Sequence, residues 1–159
     1  MPLLRNGHWV NENAWVRLAD EDALPASDSS EHPLLCSLAR FLDIESKQHR
    51  IISGVWLNSD DDVTPLAPYL DQLQLISIDF PVYTDGRGYS QARVLRKQLS
   101  FAGELRATGD VRVDQILFMA RAGIDAFEFP VEPDHTLVEQ ILSRFQLNYQ
   151  PSYALPLAG

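Results

Sequence analysis

Most of the side chains that could do chemistry fall between residues 78 and 129. The run Asp85-Gly86-Arg87-Gly88-Tyr89-Ser90 leads to Arg93 and Arg96. Gly103 to Gln115 adds Glu104, Arg106, Asp110 and Asp114, and Asp125 and Glu128 follow. Between Asp85 and Ile124 seven basic residues (Arg87, Arg93, Arg96, Lys97, Arg106, Arg112, Arg121) face four acids (Asp85, Glu104, Asp110, Asp114). This window carries +3 on a chain whose net charge is −9, so the remainder carries −12. Six of the seven bases are arginine, whose planar fork suits bidentate recognition of oxyanions or carboxylates. Internal pairing of these arginines with the four acids accounts for the same composition.

Each position has a chemical and a structural reading. Gly86-Arg87-Gly88 ahead of a helix could present backbone N–H groups to an anion, with Arg87 and Arg93 flanking it. It is only G-x-G, without the third glycine of a dinucleotide fingerprint or a Walker lysine, and a tight turn also explains the glycines. Arg106 on a short buried strand needs a partner, either an oxyanion or Glu104, Asp79 or Glu128 on neighbouring strands. Asp85, Asp110 and Asp114 could act as acids or bases, while capping and turn formation account for Asp85 and Asp110 without any chemistry and Asp114 in a first helical turn fits the helix dipole. Tyr83 and Tyr89 could stack on a ligand ring or cover the loop. Ser90 has no histidine close in sequence to activate it and reads as a helix N-cap. The four histidines (His8, His32, His49, His135) show no metal-ligand spacing. Asp60-Asp61-Asp62 lacks the ligand pattern of a calcium loop, so no metal is expected.

The elements that must position these groups follow from periodicity and punctuation. Asn6-Gly7 predicts an N-terminal hairpin over Leu3–Val10, with Ala14–Ala19 as a further edge strand. Residues 20–32 are polar and acidic and read as a linker. Leu34, Leu35, Leu38, Phe41 and Leu42 predict an amphipathic helix over Pro33–Glu45, carrying Cys36 as a buried thiol. Ile51–Leu57, Leu75–Phe80, Glu104–Ala107 and Ala126–Phe129 read as strands. Helices are expected over Thr64–Leu73, Gln91–Leu99 after Ser90, a stretch N-capped by Asp110, and a final one ending near Phe145. Gly123 is placed as a helix C-cap. The expected fold is α/β: about four consecutive βα units in a mostly parallel sheet, an incomplete barrel or a doubly wound open sheet, with an N-terminal hairpin extension. One domain spans 1–159, with hairpin and acidic linker over 1–32, a core over 33–147 and an irregular tail over 148–159. In either architecture ligands bind at the carboxyl ends of the strands, where Asp79, Asp85, Arg87, Thr108, Asp110 and Glu128 fall.

A chain of 159 residues that is 45% hydrophobic can bury a substantial core. A net charge of −9 argues against nucleic acid as a partner. No run is apolar enough for a membrane span, the N-terminus lacks a signal-peptide core, and the single cysteine permits no internal disulfide. A cytoplasmic protein is expected.

The run from Phe80 to Phe129 resembles the bacterial family DUF934. The residues that carry the resemblance are Phe80-Pro81, Asp85-Gly86-Arg87-Gly88-Tyr89-Ser90, Ala92, Leu95-Arg96, Gly103 to Val111, Asp114-Gln115, and Arg121 to Phe127. Gly54-Val55-Trp56-Leu57 and Tyr149-Gln150 are also similar to the family. Where many members have a cysteine before the glycine of R-x-G, this chain has Ala122. Proteins of this kind are usually described as oxidoreductases of sulfite reduction. The resemblance therefore implies an accessory protein of assimilatory sulfite reduction. It would bind a sulfur oxyanion or the reductase through Asp85, Arg87, Tyr89, Ser90, Arg93, Arg96, Arg106, Asp110 and Gln115. The alternative is an oxidoreductase with a bound or borrowed cofactor, although the sequence shows no flavin, nicotinamide, haem or iron–sulfur motif of its own. A homodimer covering an open sheet edge is a further expectation.

Overall fold

The computed structural model describes residues 1–11, 13–26 and 31–148. Eight strands form one sheet: β1 (Leu3–Arg5), β2 (His8–Val10), β3 (Val16–Arg17), β4 (Leu34–Ser37), β5 (Ile52–Leu57), β6 (Leu75–Phe80), β7 (Glu104–Gly109) and β8 (Ala126–Glu128). The order is β2-β1-β8-β7-β6-β5-β4-β3. From β3 to β8 neighbours run parallel, whereas β1 is antiparallel to both β8 and β2. The sheet is thus mixed rather than mostly parallel, because the N-terminal hairpin is two strands of the sheet itself. Asn6 and Gly7, at φ 52° and 80°, make its two-residue turn.

Strand order from β3 to β8 never reverses, so there is no switch point of the doubly wound kind. The sheet curls into a half-barrel instead, and chain connectivity requires the curl. β2 and β3 are its two edges. Seven inter-strand steps would set the edges of a flat sheet about 33 Å apart. The six chain steps from Val10 to Val16 reach about 21 Å at most. A flat sheet is therefore excluded.

The register assigns the two faces. Ile76, Ile78 and Phe80 of β6, with Val55, Leu57, Leu105, Ala107 and Phe127 beside them, belong to the main apolar core under the helices. The alternate residues, Trp56, Ser77, Asp79, Arg106, Thr108 and Glu128, face the concave side. Trp15 packs over Gly54 there, where an added Cβ would lie 2.9 Å from the indole. At one edge, Trp9 of β2 stacks on His135 at 3.7 Å and donates to Glu139, tying the hairpin to α4 (His135–Asn148).

Several local expectations change. Pro33–Glu45 is not one helix: Leu34–Ser37 is β4, and α1 spans only Leu38–Asp43. Ser37 caps α1 by accepting from Arg40 N–H, and Cys36 lies on the strand. Burial pushes the Cys36 thiol up to about 12, so it stays protonated. The β5–β6 connection is a 3₁₀ helix, Thr64–Gln72, with Pro68 inside it. Proline cannot donate to an α-helical ladder, which breaks the regular βα alternation expected here. The next helix, α2 (Arg87–Arg93), begins ahead of Ser90 and runs into a π-helical turn, Val94–Gln98. Asp110 does not cap a helix; a 3₁₀ turn at Val113–Gln115 precedes α3 (Ile116–Ala122). Gly123, at φ 111°, ends α3 as expected. Tyr149, Gln150 and the expected tail from residue 149 onward lie outside the described residues.

Gly88 is needed for close approach rather than for a turn, since its φ is not positive. A Cβ there would sit 2.6 Å from the fully buried Phe80 ring and 3.0 Å from Ile78. Gly88→Ala should destabilise the fold by about 1–3 kcal/mol, because neither neighbour can move aside. Gly86, where an added Cβ meets nothing within 4 Å, should accept alanine with a change under about 1 kcal/mol. Urea unfolding of the two variants side by side checks this.

Candidate functional site

The sequence-predicted site residues separate into three places. The first is the loop after β6 together with α2 and the loop after β7. Asp85 accepts from Arg87 through both the backbone N–H and the guanidinium, the ion pair lying at 2.7 Å. Asp110 accepts from Tyr83 N–H at 2.9 Å and from Arg112 Nε at 3.0 Å. Arg112 lies 3.9 Å over the Tyr83 ring. Tyr89 donates its hydroxyl to Gln115 at 3.1 Å. Arg93 is exposed, and its charge acts on the Tyr89 hydroxyl. Ser90 is exposed on α2. Arg87 and Arg112 are each about half exposed, at 58% and 51%, with Val82 and Tyr83 also exposed beside them.

Local carboxylates set the electrostatics of this face. The Arg87 hydrogen bonds hold the Asp85 carboxyl down at about 2, and Arg112 with Tyr83 N–H lowers Asp110. Arg87 also feels Asp60. The two guanidiniums are thus fixed in direction and partly neutralised by Asp85 and Asp110. Burial raises the Tyr89 hydroxyl above its usual range.

The second place is Arg96, at the amino ends of β7 and β8. Its Nε donates to Gly123 O at 2.8 Å, and Nη1 donates to Phe101 O at 2.8 Å and Gly103 O at 2.7 Å. Its Nη2 pairs with Asp125 at 3.1 Å, both side chains being 7% exposed. Asp125 also accepts from Leu105 N–H at 2.9 Å. One side chain therefore joins the π-turn, the entry to β7 and the entry to β8. Arg96 is consumed in this strut and is not available to a ligand. Sequence reasoning missed Asp125, although an acid between the apolar residues Ile124 and Ala126 was a signal that it is buried and paired.

The third place is the concave face. Arg106, 2% exposed, donates from Nε to Glu104 at 2.7 Å and from Nη1 to Asn13 at 3.2 Å. Nη2 lies 2.7 Å from the same Glu104 oxygen, off the hydrogen-bond axis, and Glu128 is 3.8 Å from Nη1. Arg5 adds a longer contact to Glu104. Arg106 is thus paired by its neighbouring strands. Among the described residues no group of three or more His, Cys, Asp or Glu side chains is placed to hold a metal ion. None of the described helices is long and apolar enough to cross a membrane.

The fold and site define a mixed-sheet α/β half-barrel with one group of polar side chains at the strand carboxyl ends, one at the amino ends of β7 and β8, and one on the concave face. A family model described as a bacterial protein of unknown function, DUF934, matches residues 54–158. The match covers well over half the chain, from Gly54 through the whole loop–helix face and the Arg96–Asp125 strut, and the protein belongs to that family. No curated protein matches the chain.

Arg96→Leu should cost about 3–5 kcal/mol, because it leaves Asp125 buried without its counter-charge; urea unfolding measures it. Burial raises the Asp125 carboxyl from 3.8 to about 6, with Arg96 pulling against it. The folded state therefore binds this proton more tightly than the unfolded chain. The resulting stability is fully present below 3.8 and is lost as pH rises through about 6. Asp85 acts in the opposite sense, its contribution being present above 3.8 and lost as pH falls toward about 2. Between pH 4 and 7 the wild type should lose stability relative to Asp125→Asn, which has no proton to lose. Parallel slopes for the two proteins would contradict the assignment.

Proposed function

We propose that the protein is an accessory component of assimilatory sulfite reduction that docks the reductase through the loop–helix face at the strand carboxyl ends. The observation that carries the docking reading is the pair of half-exposed guanidiniums, Arg87 and Arg112, each held in a fixed direction by its own carboxylate. The exposed Tyr83 and Val82 lie beside them. Tyrosine and arginine are the residue types enriched at protein interfaces, and side chains already immobilised lose little entropy on binding. Arg93, exposed and without an ion-pair partner among the described residues, supplies the uncompensated charge for an acidic partner surface. A small oxyanion is a poorer occupant of this face, because Asp85, Asp110 and Asp60 already compete for the same arginines. The pathway comes from the family resemblance carried by residues 80–129.

Calorimetric titration with assimilatory sulfite reductase tests the proposal. Binding should weaken by about tenfold or more in Arg93→Ala and again in Arg112→Ala, with both variants folded as the wild type. No binding by the wild type, or equal binding by both variants, would overturn it.

A further inference from the structure

We propose that the carboxyl-end half of the concave face is a second binding site, separate from the docking face, in which Arg17 and Asp79 together take a small proton-bearing oxyanion.

The inference starts from the charged side chains of the concave face, of which Arg106 is buried and Arg17 is exposed. Arg106 and Arg5 are both engaged by Glu104, and Arg106 also by Asn13 and Glu128. Arg17 is different. Its guanidinium lies 3.9 Å over the Trp56 ring, and among the described residues it makes no hydrogen bond or ion pair. The indole fixes the plane of the fork while leaving its N–H groups unspent.

Asp79 is the matching acceptor. It lies on β6 opposite Thr108 of β7, one pleat beyond Ser77 on the concave side, and Ser77 is in register with Trp56. No donor among the described residues reaches its carboxylate. Arg17 is the cation whose field acts on it, yet the two form no ion pair, so more than 4.0 Å separates their charged atoms. Partial burial raises the Asp79 carboxyl against the pull of Arg17, and the charge of Asp85 adds to the rise. The backbone is also shaped around this carboxylate. Gly109 sits at φ +87°, and a Cβ there would lie 2.6 Å from Asp79 Oδ1. A partly buried carboxylate and an exposed, ring-stacked guanidinium thus lie on the same concave face, each without a hydrogen-bond partner for its charged group among the described residues. A ligand that fills both must offer oxygen acceptors to Arg17 and an O–H donor to Asp79. Inorganic phosphate or a small hydroxy acid has that combination. The position agrees with the general placement of ligands at the carboxyl ends of parallel strands.

The test uses the full-length protein with inorganic phosphate and inorganic sulfate near neutral pH, followed by calorimetry and by the Trp56 indole resonance. Phosphate retains a proton at this pH and sulfate does not. A carboxylate acceptor at position 79 should therefore favour phosphate by about tenfold, and Arg17→Ala should weaken phosphate binding by about tenfold or more. The amide in Asp79→Asn can donate to either ion, so it should bring sulfate close to phosphate in affinity. Both side chains are at least partly exposed, so neither variant should lose the fold, and a matching circular dichroism spectrum confirms that. The proposal is overturned if the wild type binds neither ion at millimolar concentration, or if Arg17→Ala binds phosphate as well as the wild type. It is equally overturned if Asp79→Asn leaves the preference unchanged. Failure here would leave the docking face untouched, since its test uses Arg93 and Arg112.

Discussion

The short span between Val10 and Val16 is the constraint on which the rest of the molecule depends. It joins opposite edges of an eight-stranded sheet and forces that sheet to curl. Curling gives the faces unequal roles. The convex face is covered by helices and carries the apolar core, from Phe41 and Val55 to Phe80 and Phe129. The concave face carries Trp56, Ser77, Asp79, Arg106, Thr108 and Glu128, several of them charged. Arg106 can be buried there only because Glu104, Glu128 and Asn13 meet it from three directions.

The curl also determines where the strands end. β6 and β7 are adjacent and parallel, so the loops after them lie side by side, which is how Tyr83 N–H reaches Asp110. At the opposite end the Arg96–Asp125 strut holds the entries to β7 and β8 together. The family match includes both ends, so the strut and the loop–helix face lie within the same shared unit. Of the two glycines in the Asp85–Ser90 motif, Gly88 serves the same geometry. Gly88 lets α2 approach Phe80 closely, which seats Arg87 and Arg93 above the strand ends.

Much of this was legible in the sequence, for identifiable reasons. Asn6-Gly7 announced its hairpin because few other residue pairs tolerate that turn, and β5, β6 and β7 stood out as short apolar runs bounded by turn residues. Leu34, Leu35, Leu38 and Phe41 misled because four consecutive buried strand residues running into a helix satisfy helical spacing too; Ser37 as the cap was the available corrective. The candidate arginines could not be sorted without coordinates. Arg87, Arg93, Arg96 and Arg106 look alike in sequence, yet one is a buried strut, one a paired interior charge and two are surface groups. Arg17 drew no notice because its significance lies in the distant Trp56 and Asp79, which only the curl brings near it.

Hydrogen–deuterium exchange of the full chain, with and without assimilatory sulfite reductase, tests the central claim most directly. The account predicts slowed exchange at residues 82–93 and 110–115, with little change along α4 or at the amino-end connections around residues 67–74 and 99–103. Protection confined to α4 or to those amino-end connections would contradict it, and would place the working surface of the half-barrel at its other end.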